Sequence, residues 1–132
     1  MENIVDKAEL AIKSIGKPDK NNPNKLYIKL KTNQIRKILT AVNILKNKVD
    51  IYKIAKSKEK KLDEELQMEI EFLRVNMSYQ AGRDNLVREF VEKADLLNMV
   101  KDINGDIKAF EKFCKYVEAL VAFHKFYGGQ DK

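Results

Sequence analysis

Residues 106–127 read DIKAFEKFCKYVEALVAFHKFY, and this stretch decides the fold class. Its apolar residues recur every three or four positions along two neighbouring lines, which is the pattern of an α-helix packed on both flanks. One line holds Ile107, Phe110, Cys114, Val117 and Val121, and the other holds Phe113, Tyr116, Leu120, Phe123 and Tyr127. Such a helix is typical of a helical bundle, and the Gly128-Gly129 pair that follows predicts its end.

Helical periods also occur earlier in the chain. The segment 4–15 predicts a short amphipathic helix that stops at Gly16. Thr32 is the predicted N-cap of a second helix of about six turns. Asn104-Gly105 predicts a C-cap shortly before the last helix.

The segment 62–79 carries two apolar stripes. One consists of Leu62, Leu66, Ile70, Leu73 and Met77, and the other of Met68, Phe72, Val75 and Tyr79. Two stripes predict a central helix that is packed on two sides. The pattern resumes over 86–97, and the sequence leaves open whether Gly82 kinks this helix or lies within one long helix.

Between the first two helices, residues 16–24 contain both prolines of the chain and predict an exposed loop. Residues 25–31 alternate apolar and polar side chains like a strand, but one such run is too isolated to build a sheet, so we expect an extended lead-in. With 132 residues, the expected fold is all-α, a compact bundle of about five helices in a single domain, 1–132. An N-terminal helix and loop, 1–24, would precede a helical core, 32–127.

The formal net charge is +6, and it is unevenly distributed. Residues 1–61 hold 16 Lys and Arg against 6 Asp and Glu, whereas residues 62–132 hold 10 against 14. This asymmetry favours one face that meets a polyanion and another that meets protein. The lone Cys114 and the absence of a signal peptide or an apolar run of membrane-spanning length predict a cytoplasmic protein with no membrane contact.

Residues suited to catalysis are few. His124 is the only histidine, and ten residues of helix, about 15 Å, separate it from Cys114, so the two are expected to be structural. Asp63, Glu64 and Glu71 share a helix face and could in principle hold a divalent ion, but a solvated face is favoured. We therefore expect no enzyme, no catalytic residue, no metal and no cofactor.

The candidate binding site consists of cations. Its six members are Lys31, Arg36, Lys37, Lys46, Lys48 and Arg83. Spaced along a helix, such side chains suit successive phosphates of an RNA strand. Arg83 ends the run 79–83, in which Tyr79 could stack on a base, although its place on an apolar stripe favours core packing.

Three stretches, 34–37 (QIRK), 79–83 (YQAGR) and 113–129 (FCKYVEALVAFHKFYGG), occur in an order that resembles the small-subunit family of type III-A CRISPR complexes, the Csm small subunit. The resemblance spans residues 32–131. It implies a helical bundle without an active site, several copies stacked head to tail, and a role in antiviral defence. The implied partners are guide RNA, target RNA and other Csm-type subunits, including neighbouring copies of the same chain. Sequence recognition would be left to base pairing, so the protein needs only to hold the RNA backbone.

Two other functions stay open at this point. The chain could be a helical protein-protein adaptor whose lysines only confer solubility. It could also be a metal-dependent nuclease that uses Asp63, Glu64 and Glu71. Steep salt dependence of RNA binding would favour the RNA-supporting subunit over the adaptor.

Overall fold

Six helices and three short strands form the described part of the chain, residues 3–18, 20–21 and 26–130, in the computed structural model. The helices are α1 (Ile4–Ile15), α2 (Thr32–Ala55), α3 (Glu64–Arg83), α4 (Asn85–Lys93), α5 (Leu96–Ile103) and α6 (Ile107–Phe126). The strands are β1 (Lys17–Pro18), β2 (Leu26–Lys31) and β3 (Gly129–Gln130). The predicted all-α class is confirmed, with one helix more than the five expected. Part of the predicted loop, residues 19 and 22–24, lies outside the described residues.

Helix α6 is the centre of the bundle, and it packs against α1, α2 and α5. Both of its predicted lines are buried over most of their length, with Phe110 and Leu120 fully enclosed. Tyr116 is also enclosed, and its hydroxyl donates a hydrogen bond to the carbonyl oxygen of Ala94, 2.8 Å away. Near the C-terminal end, Val121, Phe123 and Tyr127 are only half-buried, although His124 remains enclosed.

Helix α3 is packed on one side only, so the prediction of a central helix packed on two sides is wrong. The first stripe is buried against α2, α4 and α5. The second stripe, from Met68 to Tyr79, is more than half exposed at every position. The sequence pattern could not separate these outcomes, because an apolar stripe that meets a partner molecule has the same period as one that meets the core.

The expectation that residues 25–31 build no sheet is also wrong for the described residues of that run. Strand β2 pairs antiparallel with β1 and parallel with β3, which gives the order β1-β2-β3. Its inward side chains, Ile28 and Leu30, are buried in the core. The two partner strands are only two residues long and come from distant parts of the chain, so neither has a periodicity that sequence analysis could detect.

The helix ends follow local chemistry. Lys31, not Thr32, is the N-cap of α2, and its backbone N–H donates to Oε1 of Gln34, 3.0 Å away. Thr32 is instead the first helical residue and is buried. The C-cap at Asn104-Gly105 is confirmed, because both residues have positive φ (45° and 76°).

Gly82 neither kinks a helix nor lies in the middle of one long helix, because α3 ends one residue after it. Helix α3 ends at Arg83, and Asp84 is the N-cap of α4, where its side chain accepts a hydrogen bond from the backbone N–H of Leu86, 2.8 Å away. Within the described residues, no helix is both long enough and apolar enough to cross a membrane.

Candidate nucleic-acid interface

An open groove of about 390 Å³ lies between α2 and α3, and it brings two of the predicted cations together. Lys37 enters it from α2, and Arg83 enters it from the last turn of α3. The two helices run in opposite directions, so residues distant in sequence converge here. The groove is lined by Gln34, Lys37, Ile38, Ala41, Leu73, Asn76, Met77, Gln80, Arg83, Asp84 and Val87.

The cations in the groove and beside it are available for a ligand. Arg36 and Lys37 are exposed, and within the described residues neither has a carboxylate partner. The guanidinium carbon of Arg83 lies 5.4 Å from the centre of the Tyr79 ring. Tyr79 is 61% exposed, so the favoured prediction of core packing is wrong, and its ring lies beside Arg83, where a base could stack.

Among the described residues, Asp84 is the one carboxylate that lines this groove. One of its oxygens accepts a hydrogen bond from Nε2 of Gln34, and the other accepts from the backbone N–H of Leu86. Its charge is therefore partly satisfied by donors of the protein itself. With Lys37 and Arg83 set against Asp84, the side chains that line the groove keep a formal charge of about +1.

The other predicted cations lie elsewhere. Lys46 forms an ion pair with Asp50 at 3.2 Å, and it follows Lys37 by nine residues, which places it half a turn around α2. Lys48 lies on the flank of α2 that faces α3, but it is paired with Glu69 at 2.6 Å. Lys31 is half-buried and has interactions of its own.

Arg36 points about 100° away from Lys37 around the helix and does not line the groove. The structure thus joins Lys37 and Arg83 in one site and leaves Arg36 beside it. Lys31, Lys46 and Lys48 stand apart from this site, two of them in ion pairs.

Three amide side chains at the groove were not among the six predicted site residues, although two of them lie in the motifs 34–37 and 79–83. They are Gln34 on α2 and Asn76 and Gln80 on α3. A usable signal was present, because Asn76, Gln80 and Arg83 follow one another at helical spacings of four and three. Since α3 was expected to be covered on two sides, this polar line was not recognised as an accessible face.

The residues considered for catalysis have structural roles. Nε2 of His124 donates a hydrogen bond to the carbonyl oxygen of Leu30, 2.7 Å away, and the ring is fully buried, which confirms it as a core histidine. Asp63 caps α3 through the backbone N–H of Leu66, 2.9 Å away. Glu71 pairs with Arg74 at 3.0 Å. Within the described ranges, no group of three His, Cys, Asp or Glu side chains could hold a metal ion.

Comparison with known proteins defines the class of the chain. The family model "Csm2 Type III-A" matches residues 7–130, so the chain belongs to the Csm2 family, the small subunits of type III-A CRISPR complexes. The match extends further towards the N-terminus than the three motifs do. The resemblance drawn from those motifs is confirmed.

Particular relatives bear the name "CRISPR system Cms protein Csm2". The protein from Streptococcus thermophilus is 45% identical over 98% of this chain and 95% of its own length. The protein from Enterococcus italicus is 36% identical over 77% and 71%, and the one from Mycobacterium tuberculosis is 32% identical over 89% and 87%.

Proposed function

We propose that this chain is a non-catalytic subunit that supports guide and target RNA in a type III-A effector complex during antiviral defence. The observation that carries the proposal is the convergence of Lys37 and Arg83 on one open groove, where neither forms an ion pair with a carboxylate of the described residues. Two cations on separate rigid helices hold two phosphate contacts at a fixed separation. A flexible lysine-rich loop would not do so.

The groove's chemistry suits a nucleic-acid backbone more than base edges. The planar guanidinium of Arg83 can donate two parallel hydrogen bonds to one phosphate, while Lys37 acts as a point charge. Gln34, Asn76 and Gln80 can both donate to phosphate oxygens and accept from a ribose 2′-hydroxyl, which favours RNA. Such contacts are independent of sequence, in keeping with recognition by base pairing.

The proposed RNA contact would form within the assembled effector complex. Other Csm-type subunits, neighbouring copies of this chain among them, would hold the groove beside the paired guide and target RNA. The cytoplasm is the proposed compartment, and the buried, unpaired Cys114 is in keeping with a reducing environment.

The test is the triple variant Arg36→Ala, Lys37→Ala, Arg83→Ala. We expect weaker binding of target RNA, by the same factor for every sequence, because only backbone contacts are lost. The slope of log affinity against log salt concentration should decrease in magnitude by about 2 to 3, close to one for each phosphate contact removed. Binding would be measured by filter retention between low and physiological salt, for the free protein and for the assembled complex.

A matched control is Lys93→Ala, Lys101→Ala, Lys115→Ala, which removes the same charge from exposed positions outside the groove. This control should keep most of the salt slope, and circular dichroism should show both variants folded. If the groove variant binds RNA as tightly as the parent and with the same slope, the proposal is wrong. A parent protein that assembles with Csm-type subunits but contacts no RNA would instead support the adaptor function.

A further inference from the structure

A small pocket lies where the end of α1, strand β2 and the start of α4 meet, and we call it the β2 pocket. Its volume is about 160 Å³. Ile15, Leu30 and Leu86 give it apolar lining, and Tyr27 adds an aromatic ring. No residue of this pocket lines the groove between α2 and α3, so the two sites are separate.

Three charged side chains complete the lining of the β2 pocket. Lys17 and Lys29 are cations, and Glu89 is a carboxylate in the second turn of α4. All three are exposed, and within the described residues none of them forms an ion pair. These charges are therefore available to a ligand that carries both anionic groups and N–H donors.

The strand geometry sets Tyr27 beside both lysines. Lys17 lies directly opposite Tyr27 in the antiparallel pair, so their side chains share one face. Lys29 follows Tyr27 by two residues on β2 and shares that face, roughly 6.5–7 Å along the strand. Tyr27 is 47% exposed, whereas Ile28 on the other face of the strand is buried in the core. An aromatic ring with flanking cations on a firmly packed strand is typical of sites that bind single-stranded nucleic acid.

The size of the pocket selects one flat group. Sites for drug-sized ligands have roughly 300–1,000 Å³, so this smaller volume suits a single heterocycle and not a whole nucleotide. An unpaired base can turn out of its strand and stack on an aromatic side chain, as the ring of Tyr27 would allow.

Glu89 distinguishes among the bases, because a carboxylate can only accept hydrogen bonds. Guanine has two adjacent N–H donors on its Watson–Crick edge, which match the two carboxylate oxygens. Uracil has a single N–H between two carbonyl oxygens, which a carboxylate repels. Adenine and cytosine lie between these cases, since each offers one amino group.

We propose that the β2 pocket binds an unpaired guanine of a nucleic-acid single strand. The base stacks on Tyr27 and donates two hydrogen bonds to Glu89, while the neighbouring phosphates contact Lys17 and Lys29. Such base selection goes beyond the proposed function, in which the groove between α2 and α3 holds RNA backbone of any sequence.

The first test compares short RNA oligomers of uridine that carry one central guanosine, adenosine or cytidine, with the all-uridine oligomer as reference. Fluorescence anisotropy of labelled oligomers would measure binding. The guanosine oligomer should bind the parent about five- to 100-fold more tightly than the reference. Glu89→Gln should reduce this preference to less than about threefold, because the amide replaces one acceptor by a donor. The matched control, Glu118→Gln, removes the same charge from an exposed position outside the pocket and should keep the preference.

The second test addresses stacking and phosphate contact. Tyr27→Ala should weaken binding of the guanosine oligomer about five- to 100-fold, whereas Tyr27→Phe, which keeps the ring, should bind like the parent. Circular dichroism would show that both variants are folded. The double variant Lys17→Ala, Lys29→Ala should reduce the salt slope by about 1 to 2 and leave the base preference unchanged. Free guanosine monophosphate should bind at least about tenfold more weakly than the oligomer, because it offers only its own phosphate.

Failure of the β2 pocket can be distinguished from failure of the groove. The double variant Lys37→Ala, Arg83→Ala should weaken binding of every oligomer and leave the preference for guanosine unchanged. A parent that binds all four oligomers equally, or Glu89→Gln with the parent's preference, would overturn the guanine site. Equal affinity for guanosine monophosphate and the oligomer would overturn the assignment to a strand.

Discussion

Cys114 shows how burial can dominate the chemistry of a single residue. Its thiol is enclosed in the core near α2. Burial raises the pKa of the thiol from 9.0 to about 12, and the carboxylates of Asp50, Glu111 and Glu118 act in the same direction, whereas Lys46 opposes them. The folded state therefore holds the proton more tightly than the unfolded state does. This contribution to stability is complete below pH 9 and is lost as the pH rises from 9 towards 12.

We expect Cys114 to be inert towards thiol reagents in the folded protein. The thiolate is the reactive form, and at pH 8 the raised pKa leaves almost none of it. Labelling with a maleimide or a disulfide reagent should therefore require opening of the fold, and its rate should rise with urea in step with unfolding. Labelling in buffer as fast as that of an exposed cysteine peptide would show that the thiol is accessible.

At the scale of elements, strand β2 ties the two ends of the described chain together. It joins β1, which follows α1, to β3, which follows α6. The backbone N–H of Leu26 also donates to the carbonyl oxygen of Tyr127, 2.8 Å away. The turn into β3 uses Gly128 at φ 116°, a conformation that suits glycine.

The variant Gly128→Ala should destabilise the protein by about 1–3 kcal/mol. Besides the positive φ, its Cβ would lie 2.4 Å from the carbonyl oxygen of Leu26, and a backbone atom cannot give way cheaply. Urea unfolding would measure the loss. Gly82→Ala is the contrasting control, because it lies in a helix with open space around it, and it should be neutral or stabilising by up to about 1 kcal/mol. Equal effects of the two variants would contradict the role given to β2 and β3.

At the scale of the whole molecule, stability depends on α6. Its buried side chains pack against α1, α2 and α5. A disruptive substitution in the middle of α6 therefore disturbs the packing of most of the core. Exposed side chains of α2 and α3 carry the proposed contacts with RNA. The proposed function would therefore use the surface of a scaffold that α6 holds together.

Val117→Asp should abolish or nearly abolish folding. Val117 is 1% exposed, and an unpaired carboxylate there would cost several kcal/mol of a total stability of about 5–15 kcal/mol. Thermal unfolding followed by circular dichroism would show it, with Ala122→Asp on the exposed side of the same helix as control. A melting temperature equal to the parent's would mean that α6 is not central.

Much of the candidate site was within reach of the sequence. Lys37 and Arg83 were predicted from charge clustering and from the motifs 34–37 and 79–83. Their meeting in one groove was not predictable from spacing, because they are 46 residues apart and meet only through the antiparallel packing of α2 and α3. Lys46 and Lys48 were included because composition does not show which cations have carboxylate neighbours.

The sequence by itself determined where most of the helices lie, since the helical period, Gly16 and Asn104-Gly105 are local signals that act over a few residues. It did not predict the break between α4 and α5 at Asp95. Only the tertiary structure decided which stripe of α3 is covered and that residues 26–31 join a sheet. It also decided that Tyr79 is exposed. Both stripes of α3 have the same period, and the partners of β2 are two-residue segments distant in sequence. Whether a side chain is buried depends on which other segments of the chain pack against it. That is a property of the whole fold, and no local sequence pattern contains it.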